Sequence, residues 1–127
     1  MPCAHMTTSD QPCRAPVTPV PVPDGTLRAN LERRVRVLGG DIGERNIQRL
    51  PALRATEEYM RESFAAYGLA AQPLAYTCRG VEVRNLEAEI PGRNRRNEVV
   101  VVGAHYDTVP GSAGANDNGT GVAALLE

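Results

Sequence analysis

Lysine and tryptophan are absent from this 127-residue chain, which also has a single phenylalanine and only three cysteines. All 14 basic residues are therefore arginines, set against 15 acidic ones for a net charge of -1. A balance so close to zero leaves no electrostatic footprint for a polyanion, and aromatic residues do not interleave with the arginines as stacking on bases would require. Nucleic acid is thus not expected as a partner. Cys78 stands alone in the body of the chain, which excludes a disulfide framework. No window is long and apolar enough to span a bilayer, so a soluble protein is expected. The start of the chain lacks the basic stretch and apolar core of a secretory leader, and the compartment stays open.

Proline is plentiful, but unevenly placed. Residues 1–25 carry it at positions 2, 12, 16, 19, 21 and 23. Such a stretch buries too little apolar surface to offset its ordering entropy and reads as a disordered or extended tail. Cys3, His5 and Cys13 lie there without a fourth ligand or paired spacing, so the tail is not read as a metal site. Residues 26–127 read as the amino-terminal portion of a domain that is incomplete here, within a chain of about one domain's length. Leu27, Leu31, Val35 and Leu38 recur at helical spacing, with Asp24 or Thr26 as start caps and Gly39-Gly40 as the stop. Asp41 to Arg49 reads as a polar loop. A second helix begins near Pro51 and runs to Gly68, with Glu57, Glu58, Arg61 and Glu62 on a wet face. Leu69 to Cys78 and Val81 to Ile90 read as two strands around an Arg79-Gly80 turn, and the change of apolar parity near Asn85 predicts a bulge or a change of partner. The arginines of Pro91 to Asn97 read as a solvated turn.

The last thirty residues organise the rest. Val99 to Val102 is an unbroken apolar run, read as a strand buried on both faces, and Val122 to Leu126 starts a helix. Between them a loop holds His105, Asp107 and Asp117, where a strand runs out and a helix begins. In H-Y-D the two polar side chains share a side, so Asp107 can hold one ring nitrogen of His105 and fix its tautomer. Asp117 arrives through a loop whose Gly111, Gly114, Gly119 and Gly121 permit close backbone approach. An imidazole and a carboxylate converging there suit a borderline divalent ion such as zinc. Asp117 as an N-cap of the final helix is the structural alternative.

The joint pattern of a buried strand, HYDTVPGS, GANDNGTG and an apolar helix start resembles the metal-binding core of the co-catalytic zinc aminopeptidases and carboxypeptidases, metallopeptidase family twenty-eight. Upstream, the helix ending at Gly68 and the NLEAEIPG run are typical of the same family. The resemblance implies that His105 binds one zinc, that Asp107 orients it in the catalytic site, and that Asp117 bridges two zincs. It also implies a cis peptide bond after Asp117. The implied fold is an α/β three-layer sandwich with a mixed, mainly parallel central sheet, here truncated after the first metal-binding loop. The implied activity is aminopeptidase-type hydrolysis of a peptide substrate by a metal-activated water, with two zinc ions as cofactors. The family's general-base glutamate and remaining ligands have no counterpart in this sequence, since Glu57-Glu58 precedes the strand. The chain therefore reads as an amino-terminal piece that is inactive alone. A zinc-dependent N-acyl amino acid deacylase or dipeptidase also fits HYDTVP, though GANDNGTG suits it less well. A non-catalytic peptidase-like binding domain is the reading of another class; the three retained site residues weigh against it.

Overall fold

The computed structural model describes residues 24–127; the proline-rich tail, with Cys3, His5 and Cys13, lies outside the described residues. Helix α1 spans Asp24–Arg36 and widens into a π-helical turn, Val37–Ile42, closed by Gly43 N donating to Leu38 O at 3.1 Å. Gly39-Gly40 therefore lies inside the turn rather than ending the helix. Its use is contact: a Cβ at Gly39 would stand 2.6 Å from the Cβ of Ala115, so only glycine lets the later loop pack here. The apolar stripe of α1 is covered unevenly. Leu38 is fully buried, Leu31 and Val35 are half-buried and Leu27 is exposed.

Arg34, one turn before Leu38, is buried as well. Its Nε donates to Glu127 Oε1 at 2.5 Å and its Nη1 to Ser63 Oγ at 3.0 Å, while Asn30 Nδ2 donates to Glu127 Oε2 at 2.9 Å. Burial alone would lower the Arg34 pKa, but the Glu127 and Tyr59 partners outweigh it and hold it above its ordinary value. This cluster joins the two ends of the described chain.

Helix α2 spans Leu50–Ala66, with Pro51 in the first turn, where its missing N–H is not needed. Gly68, at φ 73°, follows its end as expected. One reading of this helix is corrected. Glu57 is not on a wet face but buried between Leu53 and Met60. Each carboxylate oxygen is taken by a guanidinium, Oε2 by Arg54 Nη1 at 2.9 Å and Oε1 by Arg84 Nη1 at 3.0 Å. Burial pushes the Glu57 carboxyl up, but Arg84 and Arg54 together hold it below the usual glutamate range.

Strands β1, Gln72–Cys78, and β2, Val81–Glu87, form an antiparallel hairpin. Arg79 and Gly80 turn it with φ of 50° and 80°, the two positive values a tight hairpin turn needs. The ladder runs without offset from Cys78↔Val81 to Gln72↔Glu87, so the expected bulge near Asn85 is absent. The apolar side chains simply use both faces: Val83 is buried on one, and Leu86 packs on the helical core from the other.

The largest correction concerns the valine run. Val99 to Val102 forms no ladder and is 83%, 87%, 87% and 72% exposed. Apolar character favours burial only where partners cover it, and among the described residues β2 pairs with β1 alone. Of the expected α/β architecture, these residues therefore form helices and a two-stranded antiparallel sheet, and no parallel strand pair occurs among them. Helix α3, Thr120–Leu126, closes the core by setting Val122 and Leu126 against Leu38 and Met60. Tyr106 and Leu86 pack around that cluster.

The Glu57 cluster carries a pH signature. A carboxyl held below its ordinary pKa adds stability above about pH 4.5 that is lost as pH falls through the depressed value. Glu57→Gln should cost about 1–3 kcal/mol at pH 7. Its acid-unfolding curve should converge on that of the parent below pH 4.5. Urea titrations at several pH values measure this; parallel curves would contradict the assignment.

Candidate functional site

The loop from His105 to Gly119 is held by polar contacts with the turn after α1. Thr108 N donates to Arg45 O at 2.9 Å, and Arg45 N donates to Thr108 Oγ1 at 3.0 Å. The Arg45 side chain is wholly buried, although its segment reads as a polar loop. Its Nε donates to Tyr106 O at 2.6 Å, its Nη1 to Leu38, Gly43 and Ala113 O at 2.9, 3.0 and 2.8 Å, and its Nη2 to Gly114 O at 2.9 Å. Burial lowers the Arg45 pKa, and the charge of Asp107 partly offsets that. The Tyr106 hydroxyl donates to Arg84 O, tying the loop to β2. Burial, then the charge of Glu57, pushes the Tyr106 pKa up to about 12.

The loop closes on itself where Gly119 N donates to Gly114 O at 3.0 Å. Gly114 has φ 60°, and a Cβ there would stand 2.3 Å from Thr108 Cγ2 and 2.9 Å from Asp117 O. Asp117 has φ -112° and ψ 96°, outside helical values, and the Asp117–Asn118 peptide bond is cis, as the resemblance implies. The N-cap alternative for Asp117 does not hold. It is Asn118 Oδ1 that accepts from the α3 backbone, from Gly121 N at 3.1 Å.

The three sequence-derived residues meet. His105 Nδ1 lies 3.2 Å from Asp107 O and 3.4 Å from Asp107 Oδ1. His105 Nε2 lies 3.0 Å from Asp117 Oδ1. The side chains are 53%, 66% and 77% exposed for His105, Asp107 and Asp117, so the pair opens onto solvent. Both ring nitrogens thus face oxygen acceptors, Nδ1 those of Asp107 and Nε2 that of Asp117, and a proton or a cation can bridge Nε2 and Asp117 Oδ1. An imidazole nitrogen and a carboxylate oxygen are donors that suit zinc, but they are only two: among the described residues no group of three or more His, Cys, Asp or Glu converges on one point.

Sequence reasoning missed Arg45 and Arg34, because a charge between polar residues reads as solvated. For Arg34 a signal existed, since it is spaced from Leu31 and Leu38 as a same-face residue. Nothing in GERN marks Arg45 as buried.

A glycine loop with an open His–Asp pair leads into the short apolar helix α3, and residues 85–127, which contain them, match Peptidase family M28. That family's pattern thus covers about the last third of the chain. The chain is 33% identical over 110 residues to leupeptin-inactivating enzyme 1 of Streptomyces exfoliatus, covering 87% of this chain and 25% of that protein. It is also 33% identical over 92 residues to the probable lipoprotein aminopeptidase LpqL of Mycobacterium tuberculosis, covering 72% of this chain and 18% of the relative. Aminopeptidase YwaD of Bacillus subtilis is 51% identical over 37 residues, 29% of this chain and 8% of its own length. The chain thus spans a quarter or less of the length of these relatives. No solved structure matches it significantly.

Two glycines in the loop separate backbone strain from crowding. Gly111, at φ 81°, has open space around its missing Cβ. Gly111→Ala should therefore cost only the left-handed penalty of about 1–2 kcal/mol. Gly114→Ala should add an overpacking penalty of about 1–3 kcal/mol against Thr108 and the Asp117 carbonyl. Chemical denaturation of both variants measures the gap; equal losses would mean that the loop gives way freely at Gly114.

Proposed function

We propose that this chain supplies part of the co-catalytic zinc site of an aminopeptidase-type exopeptidase, with His105 and Asp117 as metal ligands. The carrying observation is the 3.0 Å approach of His105 Nε2 to Asp117 Oδ1, with Nδ1 of the same ring against Asp107. His105 offers its Nε2 lone pair, Asp107 fixes the tautomer and ring plane, and Asp117 presents carboxylate oxygens that can bridge two ions. Bound there, a pair of zinc ions would supply an acidified water and a polarised scissile carbonyl. The aminopeptidase names of two relatives and the peptidase family match support the reaction class.

The same reading gives the exposed valines a place. We infer that Val99 to Val102 is the strand that a parallel sheet of this fold would cover, leading into the loop at its carboxyl end. With two donors, and no three or more His, Cys, Asp or Glu side chains converging on one point among the described residues, the 127-residue chain alone is expected to hydrolyse nothing.

The test uses the product of the complete reading frame that encodes this chain. Two zinc ions per molecule and release of amino-terminal residues from free peptides are expected. His105→Ala or Asp117→Ala should lower kcat/KM at least about a thousandfold, the loss of several kcal/mol of transition-state stabilisation. A preference for N-acyl amino acids over free peptides would move the function to the deacylase reading. Absence of both zinc and hydrolysis would leave a binding domain.

A further inference from the structure

Arg45 is a cation sealed inside the protein whose side-chain acceptors are all main-chain carbonyls. Three of them, Tyr106, Ala113 and Gly114, belong to the loop that carries the candidate site, and two, Leu38 and Gly43, to the turn after α1. Tyr106 lies between His105 and Asp107 in sequence, and Gly114 O also accepts the amide of Gly119, two residues beyond Asp117. One planar guanidinium thus fixes the main chain next to both members of the His105–Asp117 pair, from behind and without touching either. The adjacent Arg45–Thr108 pair of hydrogen bonds repeats the link a few ångströms along the chain.

We propose that Arg45 is a positioning residue that holds the His105–Asp117 pair preformed before any metal arrives; as regards metal binding this rests on the function proposed above. Its geometry suits arginine alone. Lysine has three donors on a point charge, and no arrangement of them reaches carbonyls spread over five residues. A neutral side chain of similar length would fill the space and leave the carbonyls unpaired.

The experiment, on the product of the complete reading frame, compares the parent with Arg45→Lys, Arg45→Met and, as a control elsewhere, Ser63→Ala, which loses a buried hydrogen bond to Arg34. Hydrogen exchange of the metal-free proteins is read at the Thr108 and Gly119 amides. Both amides should lose protection in the two Arg45 variants while the α2 amides stay protected, and Ser63→Ala should leave the loop amides as they are. Unchanged loop protection in Arg45→Met, or loss in all three variants in step with melting temperature, would overturn the proposal. If Arg45→Met does not fold, Arg45→Lys decides by the same reading.

Cobalt(II) absorption and zinc competition provide the second readout. Affinity should fall about ten- to hundredfold in both Arg45 variants and stay within twofold in Ser63→Ala. Equal affinity in all the proteins would overturn the positioning role. A full-length parent that binds neither ion defeats the zinc reading instead, while the exchange result still decides whether Arg45 sets the loop.

Discussion

A buried charge is stable only when its hydrogen bonds are complete, and in this protein Arg45 imposes that condition on its surroundings. Its guanidinium requires carbonyls from several directions at once, and the turn after α1 and the glycine loop supply them. Each such charge-assisted bond contributes about 1.5–3 kcal/mol when made and costs at least as much when its partner is stranded. The turn and the loop are therefore not independent pieces: a change that moves one strips acceptors from the arginine. The Gly39–Ala115 contact follows from the same closeness, because the turn and the loop must touch for one side chain to bridge them.

Two further charged clusters repeat the strategy. Arg34 with Glu127 joins α1 to the end of α3, and Glu57 with Arg54 and Arg84 joins α2 to the hairpin. The apolar cluster they surround is small, built on Leu38, Met60, Val122 and Leu126. Ionic geometry therefore carries much of the orientation that a larger core would otherwise set. The absence of lysine gains a physical meaning here. Whatever biased the composition, all three clusters use the flat, multi-donor head of arginine, and a lysine would leave acceptors unfilled in each.

What was legible in the sequence was whatever rests on local pattern. Pro51 and Gly68 mark the limits of α2, Arg79-Gly80 turns the hairpin, and HYD with GANDNG brings an imidazole and two carboxylates together. What was illegible depends on partners distant in the chain. Glu57 lies on the apolar face of α2 by spacing, yet only Arg84, across the fold, makes its burial tolerable. The stop at Gly39-Gly40 failed because the glycines answer to Ala115, not to helix termination. The parity change at Asn85 suggested a bulge, whereas β2 sets Val83 and Leu86 on opposite faces with an intact ladder. Val99 to Val102 taught the converse lesson. An apolar run states a preference for burial, and whether it is met depends on strands and helices elsewhere.

The site stands at the junction between these two conditions. From Tyr106 to Gly119 the main chain is tied to the turn after α1 through Arg45 and Thr108. Immediately before it, the valine run makes no ladder and faces solvent. His105 belongs to neither side fully: its backbone follows the valines, but its ring faces Asp107 and Asp117, both in the tied loop. The relative placement of imidazole and carboxylate is therefore decided downstream of the strand motif. This explains how the pair can meet at 3.0 Å while the segment leading into it remains uncovered. It also separates two requirements that the sequence motif presents as one. The approach of imidazole and carboxylate rests on the glycine loop and its buried arginine, whereas burying the valines needs partners to cover them, and the first does not wait on the second.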